Sequence, residues 1–348
     1  MPLIKIAAVG DILMWGNQVR SARTSYGAYS FDYMFKEVKP LLKDADLTIG
    51  NLETTLSGRE KYYQRVNTII GGPSFNCPDE LAKTLKRSGF DVLTTANNHC
   101  MDRGIDGLKR TLDILDKVGI YHTGTFRSYE ESTSKLIIKV KGIKVGILAC
   151  TYGTNGYEVP EQEAWAVNYI GENILPQVYE MKKEADLTIV YMHLGEQFTN
   201  EPINAQRYWV QQFFEHGADI ILGAHPHVIQ PMRFKRVRDV DGIVKDRFVA
   251  YSLGNFISDL LTENIYTITG MILNLEVAKN ATGNTVVTNV EYIPTWVLRN
   301  EVDNKTNFVL LPMSKYLNSS GSTLTADTLD DMKKAWDHTK ALLGGKAK

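Results

Sequence analysis

The chain has 348 residues, 43% hydrophobic and 23% charged, with a formal net charge of -1. This composition excludes a disordered chain, and the length allows one large α/β domain or two ordinary ones. The near-neutral balance, without a basic stripe, argues against nucleic acid as a partner.

In chain order, short apolar runs rich in β-branched residues end abruptly in small and polar residues. Ile4–Val9 runs into Gly10-Asp11, and Leu47–Ile49 into Gly50-Asn51-Leu52-Glu53. Leu81, Ala82 and Leu85 predict a helix before Val92–Thr95, which ends in Asn97-Asn98-His99. Ile105, Leu108, Leu112 and Leu115 recur at three- and four-residue steps and predict the next helix. Val145–Ala149 then ends in Thr151-Tyr152-Gly153, and Leu187–Tyr191 ends in His193. Trp209, Phe213 and Phe214 mark a helix before Ile220–Leu222, which ends in Gly223-Ala224-His225-Pro226-His227. The seventh run, Phe248–Tyr251, ends in Gly254-Asn255. Length and residue type predict seven buried strands, and their alternation with helices predicts a largely parallel core sheet.

The C-terminal part reads differently. Tyr266 to Arg299 predicts a hairpin turning near Asn280–Asn284, and the polar tract 300–324 reads as a loop. Leu329, Met332, Trp336 and Leu343 predict an amphipathic helix stopped by Gly344-Gly345. The expected organisation is one domain over residues 1–300, with residues 301–348 as a C-terminal loop and helix packed on it.

Cys77, Cys100 and Cys150 form no C-x-x-C pair, which excludes a zinc ribbon, and three cysteines cannot pair completely within one chain. No apolar run reaches 18 residues, so no transmembrane segment is expected, and the start of the chain lacks the regions of a signal peptide. The chain is then expected to be cytoplasmic, unless an anchor has been removed from it.

In parallel α/β sheets, ligands bind beyond the carboxyl ends of the strands. The residues gathered there by the strand pattern are Asp11, Glu53, Asn98, His193, His225 and His227. Singly, each has an ordinary reading: Asp11 a turn or helix cap, Asn98 a turn, His193 a satisfied core histidine. Together, three imidazoles, two carboxylates and an amide form a mixed nitrogen–oxygen set suited to Mn, Fe or Zn. They are too many for one tetrahedral ion and suit two divalent ions about 3.5–4 Å apart.

At these residues the sequence resembles the capsule-synthesis CapA family, also called poly-γ-glutamate synthesis proteins, of the calcineurin-like metallophosphoesterase superfamily. The matching segments are Ala8–Asp11, Gly50–Thr54, Ala96–His99, Thr151–Gly156, Met192–Gly195, Gly223–His227, Tyr251–Phe256 and Ile293–Val297. The resemblance implies an α/β fold, a four-layer αββα sandwich with a C-terminal helical appendage. It implies that Asp11 and His227 ligate a first metal, that Asn98, His193 and His225 ligate a second, and that Glu53 bridges them. Asn51 would be an extra ligand, and His99 the non-ligand proton donor to the leaving group.

The sequence departs from the superfamily in three places. Leu13 stands where an Asp-x-His motif has its histidine, Glu53 replaces the bridging aspartate, and Cys100 follows His99 where an acid is common. Two functions are expected in consequence. The first is a metal-dependent hydrolase using a metal-activated water; the second is a non-catalytic module binding the polymer or its synthase. Retention of His99 favours the first, and loss of the histidine at position 13 the second. The resemblance implies an anionic polymer, poly-γ-glutamate, or its synthase complex as partner, at the cell envelope or outside the cell. Arg103, Arg207 and the Tyr62–Arg65 segment offer cations and aromatics for such a polymer, since the planar guanidinium binds carboxylates with two hydrogen bonds.

Overall fold

The computed structural model describes residues 2–260, 263–281, 283–302, 305–319 and 321–344; Thr282 of the expected turn and Gly345 of the expected helix stop lie outside them. The seven expected strands form as Leu3–Ile12, Leu47–Leu52, Val92–Thr94, Ile143–Thr151, Leu187–His193, Ile220–Ala224 and Val244–Leu253. They divide between two sheets. In the first, the order is Lys305–Pro312, Thr285–Val302, Thr269–Lys279, Leu3–Ile12, Leu47–Leu52, Val92–Thr94 and Tyr121–Thr123, with Asn255–Ile257 also paired to Leu3–Ile12. In the second, it is Ile229–Arg238, Val244–Leu253, Ile220–Ala224, Leu187–His193, Ile143–Thr151 and Leu136–Val140. The strands that end in functional residues pair parallel, and the antiparallel pairs lie toward the sheet edges.

The two-residue period of a strand explains the layering. Ile4, Ile6 and Ala8 point into the space between the sheets, where they meet Ile147, Ile189 and Ile220. Their neighbours Ala7, Val9 and Ile12 point the other way, onto helices carrying Phe35, Leu42, Leu81 and Leu85. The second sheet does the same, with Val190, Met192 and Ile221 turned outward onto Val178, Met181, Val210 and Phe213. Both faces of both sheets are therefore covered, giving four layers in the order helices, sheet, sheet, helices. Each fully buried aliphatic or aromatic side chain contributes about 1.5–3 kcal/mol. The Tyr191 hydroxyl crosses the inner layer and donates to the Val9 carbonyl at 2.7 Å, which ties the two sheets directly below the strand ends.

The expected helices form as Glu80–Ser88, Gly104–Val118, Asn204–Glu215 and Ala326–Leu343. Gly104–Val118 stops at Gly119, whose φ of 72° is the left-handed turn glycine adopts without penalty. The hairpin also forms, as Thr269–Lys279 against Thr285–Val302. The tract 300–324 corrects the expectation of a loop. Lys305–Pro312 is an edge strand paired with Thr285–Val302, and the short helix Met313–Leu317 comes after it. Its first three residues, Lys305-Thr306-Asn307, are polar and continue the polar tract before them, while Phe308, Leu310 and Leu311 enter the outer core beside Met332 and Ala335 of the last helix. Residue 300 therefore falls inside a strand. All three cysteines are free and buried.

Candidate metal centre

The close packing of backbone at the strand ends starts with a glycine. A Cβ on Gly10 would lie 1.8 Å from the Gly254 carbonyl oxygen, so only glycine allows this approach. It lets the Asp11 amide donate to that same oxygen at 3.1 Å and brings Asp11 level with Asn255. Asp11 ends its strand at the seam between the two sheets, and Glu53 and Asn98 come just after the next two strands of the first sheet. His193, His225 and His227 arrive from the second sheet. His225 and His227 have φ of 98° and 60°, in the left-handed region that costs a non-glycine residue about 1–3 kcal/mol. Such strain persists where the surrounding structure holds it, and it turns both imidazoles inward from one short segment.

The six side chains are buried and meet. Asn98 Oδ1 lies 2.7 Å from His193 Nε2, which is 3.5 Å from Glu53 Oε1. His227 Nδ1 lies 3.4 Å from Asp11 Oδ2, and His193 Nδ1 lies 4.0 Å from Asp11 Oδ1. Two groups of donor atoms result. Glu53, His193 and His225 offer atoms all within 4.8 Å of one another, and so do Asp11, Glu53 and His227. Glu53 belongs to both.

The chemistry of these donors fits divalent cations. Both Glu53 carboxylate oxygens and His225 Nδ1 are buried without a hydrogen-bond partner among the described residues. A buried carboxylate left so is strongly unfavourable unless a charge of opposite sign completes it. Burial, reinforced by the charges of His193, His227 and His99, holds the His225 imidazole well below its usual range and therefore neutral, with a lone pair to give. Burial alone would lower the His227 pKa too, but the charges of Glu53 and Asp11 and the hydrogen bond to Asp11 outweigh it and raise it to about 9. Burial likewise pushes Asp11 up, and the His227 hydrogen bond with the charges of His193 and His227 brings it below the usual carboxylate range. Without metal, the His227 proton stands in for a cation between the two carboxylates.

Asn51 is within the cluster, turned so that its amide nitrogen donates to Asp11 Oδ1 at 2.8 Å, while its oxygen accepts from Thr94 and Asn97. His99 stands beside the cluster. Its Nδ1 lies 2.8 Å from Asp102 Oδ2, and its ring meets Phe75 edge-on at 4.7 Å between centroids. Arg103 is not turned to the cluster. Its guanidinium is held by Glu60 at 2.9 Å, by the Ser74 hydroxyl and by the carbonyls of Asp102 and Tyr63. It braces the turn that carries His99 and Asp102. Arg207 sits exposed on the helix Asn204–Glu215, 3.5 Å from Glu201, and has no contact with the donor cluster among the described residues.

Four other residues complete the site. Asp102 orients His99, and its signal was the His99-x-x-Asp102 spacing that puts both on one turn. The Asn255 side-chain oxygen accepts from His227 Nδ1 at 3.0 Å. Asn155 bridges Asn98, at 3.1 Å, and the His99 ring. Tyr152 covers His225 with ring centroids 4.6 Å apart. Asn255, Asn155 and Tyr152 lie in segments that already stood out in the sequence, but nothing in residue type gave them a role.

With this geometry established, comparison with known proteins agrees. Residues 5–260 match the family described as bacterial capsule synthesis protein PGA_cap. The chain is 30% identical over 309 residues to the PGA biosynthesis protein CapA of Bacillus subtilis (strain 168), covering 87% of this chain and 76% of that protein. It is 30% identical over 262 residues to the capsule biosynthesis protein CapA of Bacillus anthracis, covering 74% and 60%. Among solved structures, a putative 5'-nucleotidase from Staphylococcus aureus shares the fold, with a TM-score of 0.50 and 17% identity over 96% of this chain and 58% of that one. The matched sequence includes every donor residue of the two nested groups, and the chain belongs to the bacterial capsule synthesis family PGA_cap.

Proposed function

We propose that this protein is a metal-dependent hydrolase of capsule synthesis, acting at the cell envelope on poly-γ-glutamate or a related anionic polymer. One observation carries the reading: two donor groups share Glu53, whose carboxylate oxygens are both buried and unpaired. Asp11 and His227 would hold one ion, Asn98, His193 and His225 a second, with Glu53 between them. Divalent ions so held supply Lewis acidity and lower the pKa of bound water from 15.7 to roughly 7.

The chain's own residues do the rest. Asp102 Oδ2 accepts from Nδ1–H of His99, which fixes the ring and leaves Nε2 as the nitrogen that can take up a proton and pass it on. In hydrolysis of a γ-amide, the water oxygen bonds to the carbonyl carbon and its proton passes to His99 Nε2. The C–N bond then breaks, and the departing amine takes that proton from His99. Asn51 and the His225 amide orient the Asp11 carboxylate. Arg207, exposed and paired only at 3.5 Å, is free to meet polymer carboxylates.

A second reading rests on Leu13, which is 1% exposed within the core where the superfamily's histidine would stand. It makes the protein a binding module for the polymer or its synthase. The experiment is to load the purified protein with Mn, Fe or Zn in turn and measure the length of poly-γ-glutamate with time, alongside His99→Asn. Shortening by wild type that the variant loses supports the hydrolase. Full metal loading with polymer binding and no shortening establishes the module instead.

A further inference from the structure

We infer that the face built from the Arg23–Tyr29 turn and the hairpin Gln64–Phe75 docks on an anionic phospholipid surface. Two segments make it, residues 15–29 and 57–72. They hold Arg20, Arg23, Arg59, Lys61 and Arg65, and Glu60 is their only carboxylate. Glu60 is itself taken up by Arg103 and Arg65, and Arg59 pairs with Glu80 at 3.4 Å, so Arg20, Arg23 and Lys61 are the cations of this face with no ion pair among the described residues. A chain of net charge -1 has thus set a cationic face apart.

Large apolar groups stand on the same face. Tyr26 is 96% exposed, Val66 69%, Tyr62 63%, and Ile69 and Ile70 56% each. Soluble surfaces seldom cluster such groups without a partner for them. The segments are neighbours, because Tyr29 and Tyr63 meet edge-on at 5.6 Å and the Gly16 amide donates to Gln64.

The exposed tip is held in shape by the fold. Asn67 is buried, and its side-chain oxygen accepts from the Ile69 and Ile70 amides while its nitrogen donates to the Asn155 carbonyl at 3.0 Å. A Cβ on Gly156 would meet Ile69 at 2.7 Å, so the tip rests on that loop. The two isoleucines are therefore fixed at the end of a braced hairpin.

Aliphatic side chains at a tip, tyrosines around them and arginine or lysine behind match the layers of a bilayer interface: acyl chains, headgroup boundary, and anionic headgroups. A soluble polyanion would use the cations and leave the aliphatic tip in water, and this is what favours the bilayer. The hairpin also carries Phe75, which touches His99, so docking would bring the candidate centre close to the membrane plane. The face includes none of the metal-donor residues, so its failure would leave the hydrolase reading untouched.

The test is cosedimentation of the full chain with vesicles of phosphatidylglycerol mixed with phosphatidylcholine, against vesicles of phosphatidylcholine alone. Binding is expected to the mixed vesicles and to weaken as salt rises to 1 M, where the Debye length falls to about 3 Å. Tyr26→Ser, at an almost fully exposed position, and the double variant Ile69→Ser/Ile70→Ser should each bind roughly tenfold less with unchanged melting temperature, a loss of about 1.4 kcal/mol. Failure to sediment with phosphatidylglycerol vesicles would overturn the proposal, as would equal binding by both variants. Binding of soluble poly-γ-glutamate that needs Lys61 and Arg65, with no vesicle binding, would assign the face to the polymer.

Discussion

Across the seam between the two sheets, His227 Nδ1 lies 3.4 Å from Asp11 Oδ2, and both side chains are buried. The pair gives metal-free protein a defined pH profile. His227 has its pKa raised to about 9, so its contribution is complete below the unfolded value of about 6.5 and is lost as pH rises through 9. Asp11 is depressed, so its contribution is present above about 3.9 and is lost as pH falls through its lowered value. Chelator-treated protein should therefore lose on the order of 1–3 kcal/mol between pH 6.5 and 9, read as a falling melting temperature. His227→Gln should flatten that alkaline limb. Metal must displace the His227 proton, so metal affinity should rise over the same range.

Removal of the shared carboxylate should cost both ions. Elemental analysis of protein purified without chelator should give more than one divalent metal per chain. Glu53→Gln should leave little of either, whereas His225→Ala or Asn98→Ala should deplete one ion more than the other. Loss of a single ion with full retention of the other in Glu53→Gln would refute shared coordination.

The His99–Asp102 pair should separate catalysis from metal binding. His99→Asn is expected to keep metal content and to lower hydrolysis roughly 10²–10⁴-fold. Asp102→Asn should lower it through His99 and also destabilise by about 1–3 kcal/mol, because Asp102 accepts from the buried Phe75 amide as well. A His99→Asn protein that loses metal would make His99 a ligand.

Gly10→Ala should damage fold and centre together. Its methyl group would meet the Gly254 carbonyl at 1.8 Å, backbone that cannot swing aside as a side chain can. A loss of about 3 kcal/mol or more is expected from the urea midpoint, with metal content falling in the residual folded protein.

The two arginines should behave oppositely. Arg103→Ala should destabilise by about 1–3 kcal/mol, since it leaves Glu60 with Arg65 alone and removes the bonds to the Ser74 hydroxyl and the Asp102 and Tyr63 carbonyls. Arg207→Ala should change stability by about 0.5 kcal/mol or less and weaken polymer binding measured by calorimetry, most clearly at low salt.

The linear sequence was enough for the seven inner strands, for the helices Glu80–Ser88, Gly104–Val118 and Asn204–Glu215, and for which side chains gather past the strand ends. A buried strand needs an unbroken β-branched run, and a parallel sheet gathers the residues just past each run at one edge. Asp11, Glu53, Asn98, His193, His225 and His227 therefore declared themselves by position. Periodicity reports that a face is buried and says nothing about what it meets. The edge strand Lys305–Pro312 escaped because its apolar run Phe308–Pro312 is short and lies between polar stretches that resemble a loop. Side-chain pairing was equally out of reach. Arg103 looked available for carboxylates, and only packing decided that Glu60, 43 positions earlier, occupies it. The same packing gave His99 its Asp102, set Asn51 against Asp11, and left both oxygens of Glu53 without a partner. Those outcomes depend on distances across the seam between two sheets, which no local pattern encodes.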